Sequence, residues 1–126
     1  MQEAERPIPE EIRLKKGGHT LIVTFDTGER FELSAELLRV LSPSAEVQGH
    51  SPEQRKTVPG KRMVAIRDVE PVGNYAVRLE FDDGHATGIF SWIYLLELGR
   101  NRDARWADYL GELADKGLSR DPPGTP

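Results

Sequence analysis

Asp82-Asp83-Gly84-His85 is the group of residues best equipped for chemistry. A carboxylate beside an imidazole could bind a metal ion or move a proton near neutral pH. The same four residues also satisfy a tight turn, where Asp and Gly are needed for backbone reasons alone, and their spacing favours that reading. No second histidine lies nearby to complete a facial iron site. Upstream, Gly73-Asn74-Tyr75 is a hairpin-type turn whose Asn74 and Tyr75 could wall a polar pocket. A pocket drawing on Asn74, Tyr75, Asp82, Asp83 and His85 would make the chain a small-molecule binder or a small enzyme, provided the groups converge. Arg100, Arg102 and Arg105 form a small basic patch that could meet a nucleic acid backbone. Asp103 interrupts the patch, so a solvated surface is the better reading and nucleic acid an improbable partner. Gly-x-x-x-x-Gly-Lys and Gly-x-Ser-x-Gly are both absent, which removes the phosphate-loop and acyl-transfer signatures.

These residues must be positioned by a fold the chain can build. Leu21 to Phe25 alternates as a strand, Asp26-Thr27-Gly28 turns it, and Arg30 to Leu33 returns. Ser34 then caps a leucine-rich helix that Pro43 ends. Ile12-Arg13-Leu14 is a preceding strand. Residues 42–62 read as one long loop, mobile or functional because loops of that length are uncommon. A second block begins with a strand at Met63 to Ile66 and a turn at Glu70 to Gly73. Tyr75, Val77, Leu79 and Phe81 then alternate on one face, Asp82-Asp83-Gly84 turns, and His85 to Phe90 returns. Ser91 caps a short helix closed by Gly99. The last helix carries Trp106, Tyr109, Leu110 and Leu113 at one-face spacing and ends at Gly117.

The two blocks echo each other. Leu21-Ile-Val-Thr-Phe25-Asp26-Thr-Gly28 aligns with Val77-Arg-Leu-Glu-Phe81-Asp82-Asp-Gly84, and each is followed by a capping serine, Ser34 or Ser91. The expected fold class is α+β: about six mostly antiparallel strands in hairpin sheets, two short helices after the serines and a longer C-terminal helix. Val23, Phe25, Phe31, Leu33, Leu37, Val64, Ile66, Val77, Leu79, Phe81, Ile89, Leu95, Trp106, Tyr109 and Leu110 are the expected core. Phe90, Trp92 and Ile93 are left over and could line a partner or subunit surface. Residues 1–10 and 119–126 are rich in proline and charge and are expected to be disordered, leaving one domain over 11–118.

Composition sets the outer limits. The chain has 126 residues, a net charge of -4 and no cysteine. Disulfides, thiolate zinc sites, cysteine-ligated clusters and a cysteine nucleophile are excluded. The polar N-terminus and the short apolar runs point to no membrane association and a cytoplasmic location.

Glu70-Pro71-Val72-Gly73-Asn74-Tyr75-Ala76, followed by Phe81-Asp82-Asp83-Gly84-His85-Ala86-Thr87-Gly88-Ile89-Phe90-Ser91-Trp92 and Leu95, resembles the domain at the N-terminus of gamma-butyrobetaine hydroxylase. That domain also occurs as stand-alone bacterial proteins of unknown function, and the ending through Gly117-Leu118-Ser119-Arg120 is similar to theirs. The resemblance covers about Ile12 to Leu98. It implies an accessory domain and not the iron and 2-oxoglutarate dioxygenase domain that follows it in the hydroxylases, for which this chain has no room. In the hydroxylases the domain binds structural zinc through three cysteines and a histidine. The matching positions here are Ser42, Ser44, Val47 and His85, a degenerate site, because neutral hydroxyls and a valine do not replace thiolates. A makeshift site from His85, His50 and Glu46 is a remote alternative. No cofactor is expected, and chelator-free protein is expected to carry no stoichiometric zinc or iron. Relatives fused to a P-loop iron–sulfur carrier imply a protein partner in cluster assembly or metalloenzyme maturation. Asn74, Tyr75, Asp82, Asp83, His85 and Trp92 are the candidate ligand or partner residues, no catalytic residue is assigned, and a homo-oligomer is left open.

Overall fold

The structure, a computed structural model, describes residues 7–123. Its first sheet has the order β1 (Pro9–Leu14), β2 (Thr20–Phe25), β3 (Arg30–Ser34), antiparallel throughout. Its second has the order β4 (Ile66–Val72), β5 (Ala76–Phe81), β6 (Ile89–Ser91). Each third strand runs straight into a helix, α1 (Ala35–Val40) or α3 (Trp92–Arg100). Ser34 accepts the Leu37 N–H at 3.0 Å and Ser91 accepts the Tyr94 N–H at 3.1 Å, so both serines cap as expected. A one-turn α2 (Ala45–Gln48) and the C-terminal α4 (Arg102–Lys116), ended by left-handed Gly117, complete the α+β fold.

The internal echo is structural. Phe25 N–H reaches Glu29 O and Phe81 N–H reaches His85 O, at 2.8 and 2.9 Å. Gly28 and Gly84 hold φ of 91° and 94°, the left-handed conformation these turns require. Asp26 and Asp82 each tie their turn to the strand opposite, through Ile8 and Ala65, by a backbone bond and a carboxylate bond. A bulge falls at Pro9/Glu11 in one unit and at Ile66/Asp68 in the other. The helices are docked alike, Ala35 N–H to His19 O at 2.8 Å and Trp92 N–H to Tyr75 O at 3.0 Å.

One apolar core joins the units, with Phe25, Leu33, Leu38, Leu79, Phe81, Phe90, Leu95 and Leu98 fully enclosed. α3 lies against the first sheet so closely that a Cβ at Gly99 would collide with the Phe31 ring. Gly99 therefore lies inside the helix, which runs on to Arg100.

Several expectations are corrected. The first strand begins at Pro9, a position a strand tolerates at its start, and Asp26 N–H bonds Ile8 O at 2.9 Å. Of the stretch 1–10 expected to be disordered, residues 1–6 lie outside the described part. Beyond α4, Gly60 N–H donates to Ser119 O (2.9 Å) and Arg62 N–H to Arg120 O (3.0 Å). Residues 124–126 lie outside the described part. The 42–62 segment is no free loop. It contains α2 and a 3-10 turn (Pro52–Gln54), and Lys56 N–H closes it onto Val47 O at 2.7 Å. Thr57 Oγ1 and Arg55 both hold Glu112, and Tyr109 donates to Val58 O at 2.6 Å. The second block starts at Ile66 rather than Met63, and its turn is 73–75, because Glu70–Val72 pair with β5. Ile89 and Leu110 are exposed at 45% and 40%, while Phe90 is enclosed opposite Val77. No helix among the described residues is long and apolar enough to cross a membrane.

Candidate functional site

His85 leaves the turn after β5 pointing into the protein, 6% exposed. The segment following α1 comes to meet it. Ser42 Oγ lies 2.9 Å from Nε2, and Glu46 Oε1 lies 3.0 Å from Nδ1. Ser42 Oγ also accepts the Ser44 N–H at 3.3 Å, and Ser44 Oγ meets Thr87 Oγ1 at 2.7 Å. A Cβ at Gly88 would clash with Ser42 Oγ, so this glycine permits the close approach. The bond pattern fits a neutral imidazole: Nδ1–H donates to Glu46, and Nε2 accepts from Ser42. Burial holds the His85 pKa below its ordinary value, Arg39 adds to this, and Glu46 and Asp83 oppose it.

Asp83 orders the rim. Its Oδ1 accepts the His85 N–H at 3.0 Å, and its Oδ2 meets Arg39 Nε at 2.8 Å and Lys61 Nζ at 2.6 Å. Burial pushes this carboxyl up, but Lys61, the His85 amide and Arg39 outweigh it and hold the pKa at about 2. Arg39 Nη1 is buried without a hydrogen-bond partner among the described residues. Asp82 faces elsewhere and accepts the Ala65 N–H at 3.1 Å, a structural duty.

The order Ser–His–Glu is that of a nucleophilic relay, but its burial is inverted. Ser42 is 0% exposed, so no substrate reaches its oxygen, while the Glu46 side chain is 63% exposed. A catalytic relay needs the opposite arrangement. The cluster is a clasp between two chain segments.

The expected zinc positions therefore do assemble in part: Ser42, Ser44 and His85 converge, and Val47 is buried in α2 beside them in sequence. Their donor set, two hydroxyls and one imidazole with a valine, does not fit zinc. His50 is exposed, bonded through its N–H to Gln54 at 2.8 Å, and does not join His85 and Glu46. Among the described residues no group of three His, Cys, Asp or Glu side chains is placed to hold a metal ion.

Asn74, Tyr75 and Trp92 lie at the other end of β5. Trp92 Nε1 donates to Asn74 O at 2.8 Å, and with Pro7, Ile8, Tyr75 and Ile93 they border a groove of about 310 Å³. Tyr75 precedes β5 and His85 follows it, so Asn74, Tyr75 and Trp92 lie apart from Asp83 and His85, Asp82 joins neither group, and the six candidate residues do not form one pocket. Arg100 is spent on Glu29, at 2.8 and 2.7 Å, and Arg102 reaches Glu32 O at 3.2 Å. Arg105 binds Tyr94 Oη at 3.2 Å, so the three arginines turn to separate internal partners.

Sequence reasoning missed Arg39, Lys61, Thr87 and Gly88. Thr87 carried a usable signal: it follows His85 by two, as Ser44 follows Ser42, and such i, i+2 pairs share a face in extended chain.

A family model described as gamma-butyrobetaine hydroxylase-like, N-terminal, matches residues 12–96. Two solution NMR structures are 50% and 44% identical to the chain, with TM-scores of 0.79 and 0.80. They cover 94% and 97% of it and 93% and 91% of their own chains. A crystal structure of a protein of unknown function of the DUF971 family from Acidithiobacillus ferrooxidans is 41% identical. It covers 72% of this chain and 91% of its own, with a TM-score of 0.61. No curated protein matches this chain.

Proposed function

Because this chain belongs to the gamma-butyrobetaine hydroxylase-like N-terminal family, we propose that it is a non-catalytic protein-interaction module serving iron–sulfur cluster assembly or metalloenzyme maturation. One observation carries the non-catalytic half of this reading: the chemically richest residue, His85, is spent on a sealed clasp with Ser42 and Glu46. The exposed apolar side chains supply the other half. Tyr75, Ile93 and Ile8 are 56%, 55% and 51% exposed around one groove, in a chain whose remaining large side chains are mostly enclosed. The named partner class follows from relatives in which this domain is fused to a P-loop iron–sulfur carrier.

The test is direct mixing with such a carrier, followed by sedimentation velocity. A one-to-one complex at micromolar concentration is the expected result, unchanged by His85→Gln. Absence of a complex across apo and cluster-loaded carrier removes the maturation role. Loss of binding in His85→Gln, with the fold intact, returns His85 to the functional surface.

A further inference from the structure

We infer that the seat of Arg120 between Glu36 and Trp106 is an exchangeable recognition site, where an extended segment of a partner protein, carrying an arginine followed by an acidic residue, takes the place of residues 119–121. The inference rests on the interaction-module reading and adds to it a second surface and the chemistry of its occupant.

At this site the chain shows what an occupant looks like. Residues 119–121 run beside residues 60–62, with Gly60 N–H on Ser119 O at 2.9 Å and Arg62 N–H on Arg120 O at 3.0 Å. Such backbone bonds accept any extended segment, and the side chains select among them. Arg120 sets Nε and Nη2 on the two Glu36 oxygens, at 2.9 and 2.7 Å, with its guanidinium 5.0 Å from the Trp106 ring centre. A planar fork matched to a carboxylate and laid on an indole calls for arginine, and lysine does not reproduce it. Glu36 is 6% exposed, so an occupant without a cation would leave a nearly buried carboxylate unpaired. One residue on, Arg62 Nε donates to Asp121 Oδ1 at 2.6 Å, which selects an acid.

Two features make residues 119–121 replaceable. The first is how they are held. Leu118, Ser119 and Asp121 are exposed, and the partly buried Arg120 is the most enclosed of the four. Polar contacts at the surface, which water can replace, carry most of the attachment. Gly117, left-handed and with open space around it, joins the segment to α4, so the segment can leave without moving the helix.

The second feature is unfilled room. A cavity of about 350 Å³ adjoins Arg120, bordered also by Leu37, Arg102 and Trp106. A partner segment that lays an apolar side chain against Leu37 and Trp106 gains contact that residues 119–121 lack. It needs that gain, because a segment tethered this closely competes at an effective concentration of millimolar order.

The test uses the full chain and a peptide with the sequence of residues 117–123, followed by chemical shifts. Arg120→Ala vacates the seat and is expected to bind the peptide, with amide shifts at Glu36, Gly60 and Arg62 and a shift of the Trp106 indole. The unaltered chain, whose own segment competes, is expected to bind it at least about tenfold more weakly. Replacing the peptide's arginine by alanine, or adding Glu36→Gln to Arg120→Ala, is expected to abolish binding. Ser119→Leu or Pro122→Leu in the peptide, each beside the Arg-Asp pair, is expected to recover about tenfold in at least one case by filling the cavity. With millimolar peptide on the unaltered chain, the Arg120 and Asp121 signals are expected to move toward those of a free segment, a readout that needs no variant to fold. No binding to a folded Arg120→Ala, equal affinity for both chains, binding of the alanine peptide, no gain from either leucine, or unmoved Arg120 and Asp121 signals overturns the inference. So does a concentration-dependent dimer lost in Glu36→Gln, which makes a second copy the occupant. The iron–sulfur carrier separates the two readings: peptide exchange without carrier binding sinks the carrier alone, and carrier binding without peptide exchange sinks this site alone.

Discussion

In the turn after β2, Glu29 occupies the place that His85 occupies in the turn after β5, and each side chain is caught from the other unit, at or just beyond the end of its helix. Arg100, at the end of α3, grips Glu29 with two hydrogen bonds. Ser42 and Glu46, beyond α1, grip His85. The first grip is an ion pair with side chains 49% and 33% exposed, and the second encloses a histidine and two serines almost completely. An exposed pair of this kind is screened by water and contributes little. A buried polar cluster matters through its failure: one missing member strands the others at about 1–3 kcal/mol each. Two copies of one supersecondary unit thus solve the same closure problem in different media. The zinc of the hydroxylase domain falls, by resemblance, on the buried one. At the place that resemblance points to, this chain has a hydrogen-bonded clasp.

The strongest way to sharpen the contrast is to rebuild the metal. A triple variant, Ser42→Cys, Ser44→Cys and Val47→Cys, is expected to retain one zinc per chain through gel filtration and to unfold on chelation. Structural zinc is worth about 10–16 kcal/mol in small peptides. A variant that folds but takes no zinc shows that Val47 lies outside the ligand sphere. Next in size, His85→Ala is expected to cost about 2–4 kcal/mol in urea denaturation, since it opens a cavity and strands Ser42. Arg100→Ala, at a solvent-screened ion pair, is expected to move the urea midpoint far less than His85→Ala. Equal losses would break the comparison. Ser42→Ala should fall between them, at about 1–3 kcal/mol, by leaving Nε2 without a donor.

The smallest effect is in pH. The His85 pKa is depressed in the folded chain, so the unfolded chain binds its proton first as pH falls. Stability is expected to be fully present above the unfolded value of about 6.5 and to decline as pH drops through the lower folded value. His85→Gln should flatten that slope, and a variant with the wild-type slope would place the titration elsewhere. Asp83 and Glu29 behave as depressed carboxylates, each held at about 2, so their contributions disappear only in stronger acid.

What was legible in the sequence was local. Phe-Asp-x-Gly and the capping serines act within four residues, and both units follow them. The face of β6 was not legible: a one-residue shift in a three-residue strand swaps Ile89 and Phe90 between solvent and core, and only pairing with Val77 decides it. The 42–62 segment looked loose because its anchors, Tyr109 and Glu112, lie more than fifty residues ahead. For the site, the resemblance located Ser42, Ser44 and His85 together, but Arg39 and Lys61 were silent because solvated and buried arginines and lysines read alike in one sequence. Asn74 and Tyr75 looked close to His85 in number, yet β5 separates them by its full length.

The Arg120–Glu36 pair joins residues 84 apart, from the first helix to the segment beyond the last one. Both units can close before Arg120 has been synthesised, since their hairpins and capped helices use neighbours. Glu36 must wait with its carboxylate in water until Arg120 has emerged to cover it. Arg120 therefore acts in time as well as in space: a copy truncated just before it is expected to fold its hairpins but leave α1 unsealed. In hydrogen exchange, the Arg62 amide, held by the Arg120 carbonyl at 3.0 Å, is where that difference should be read.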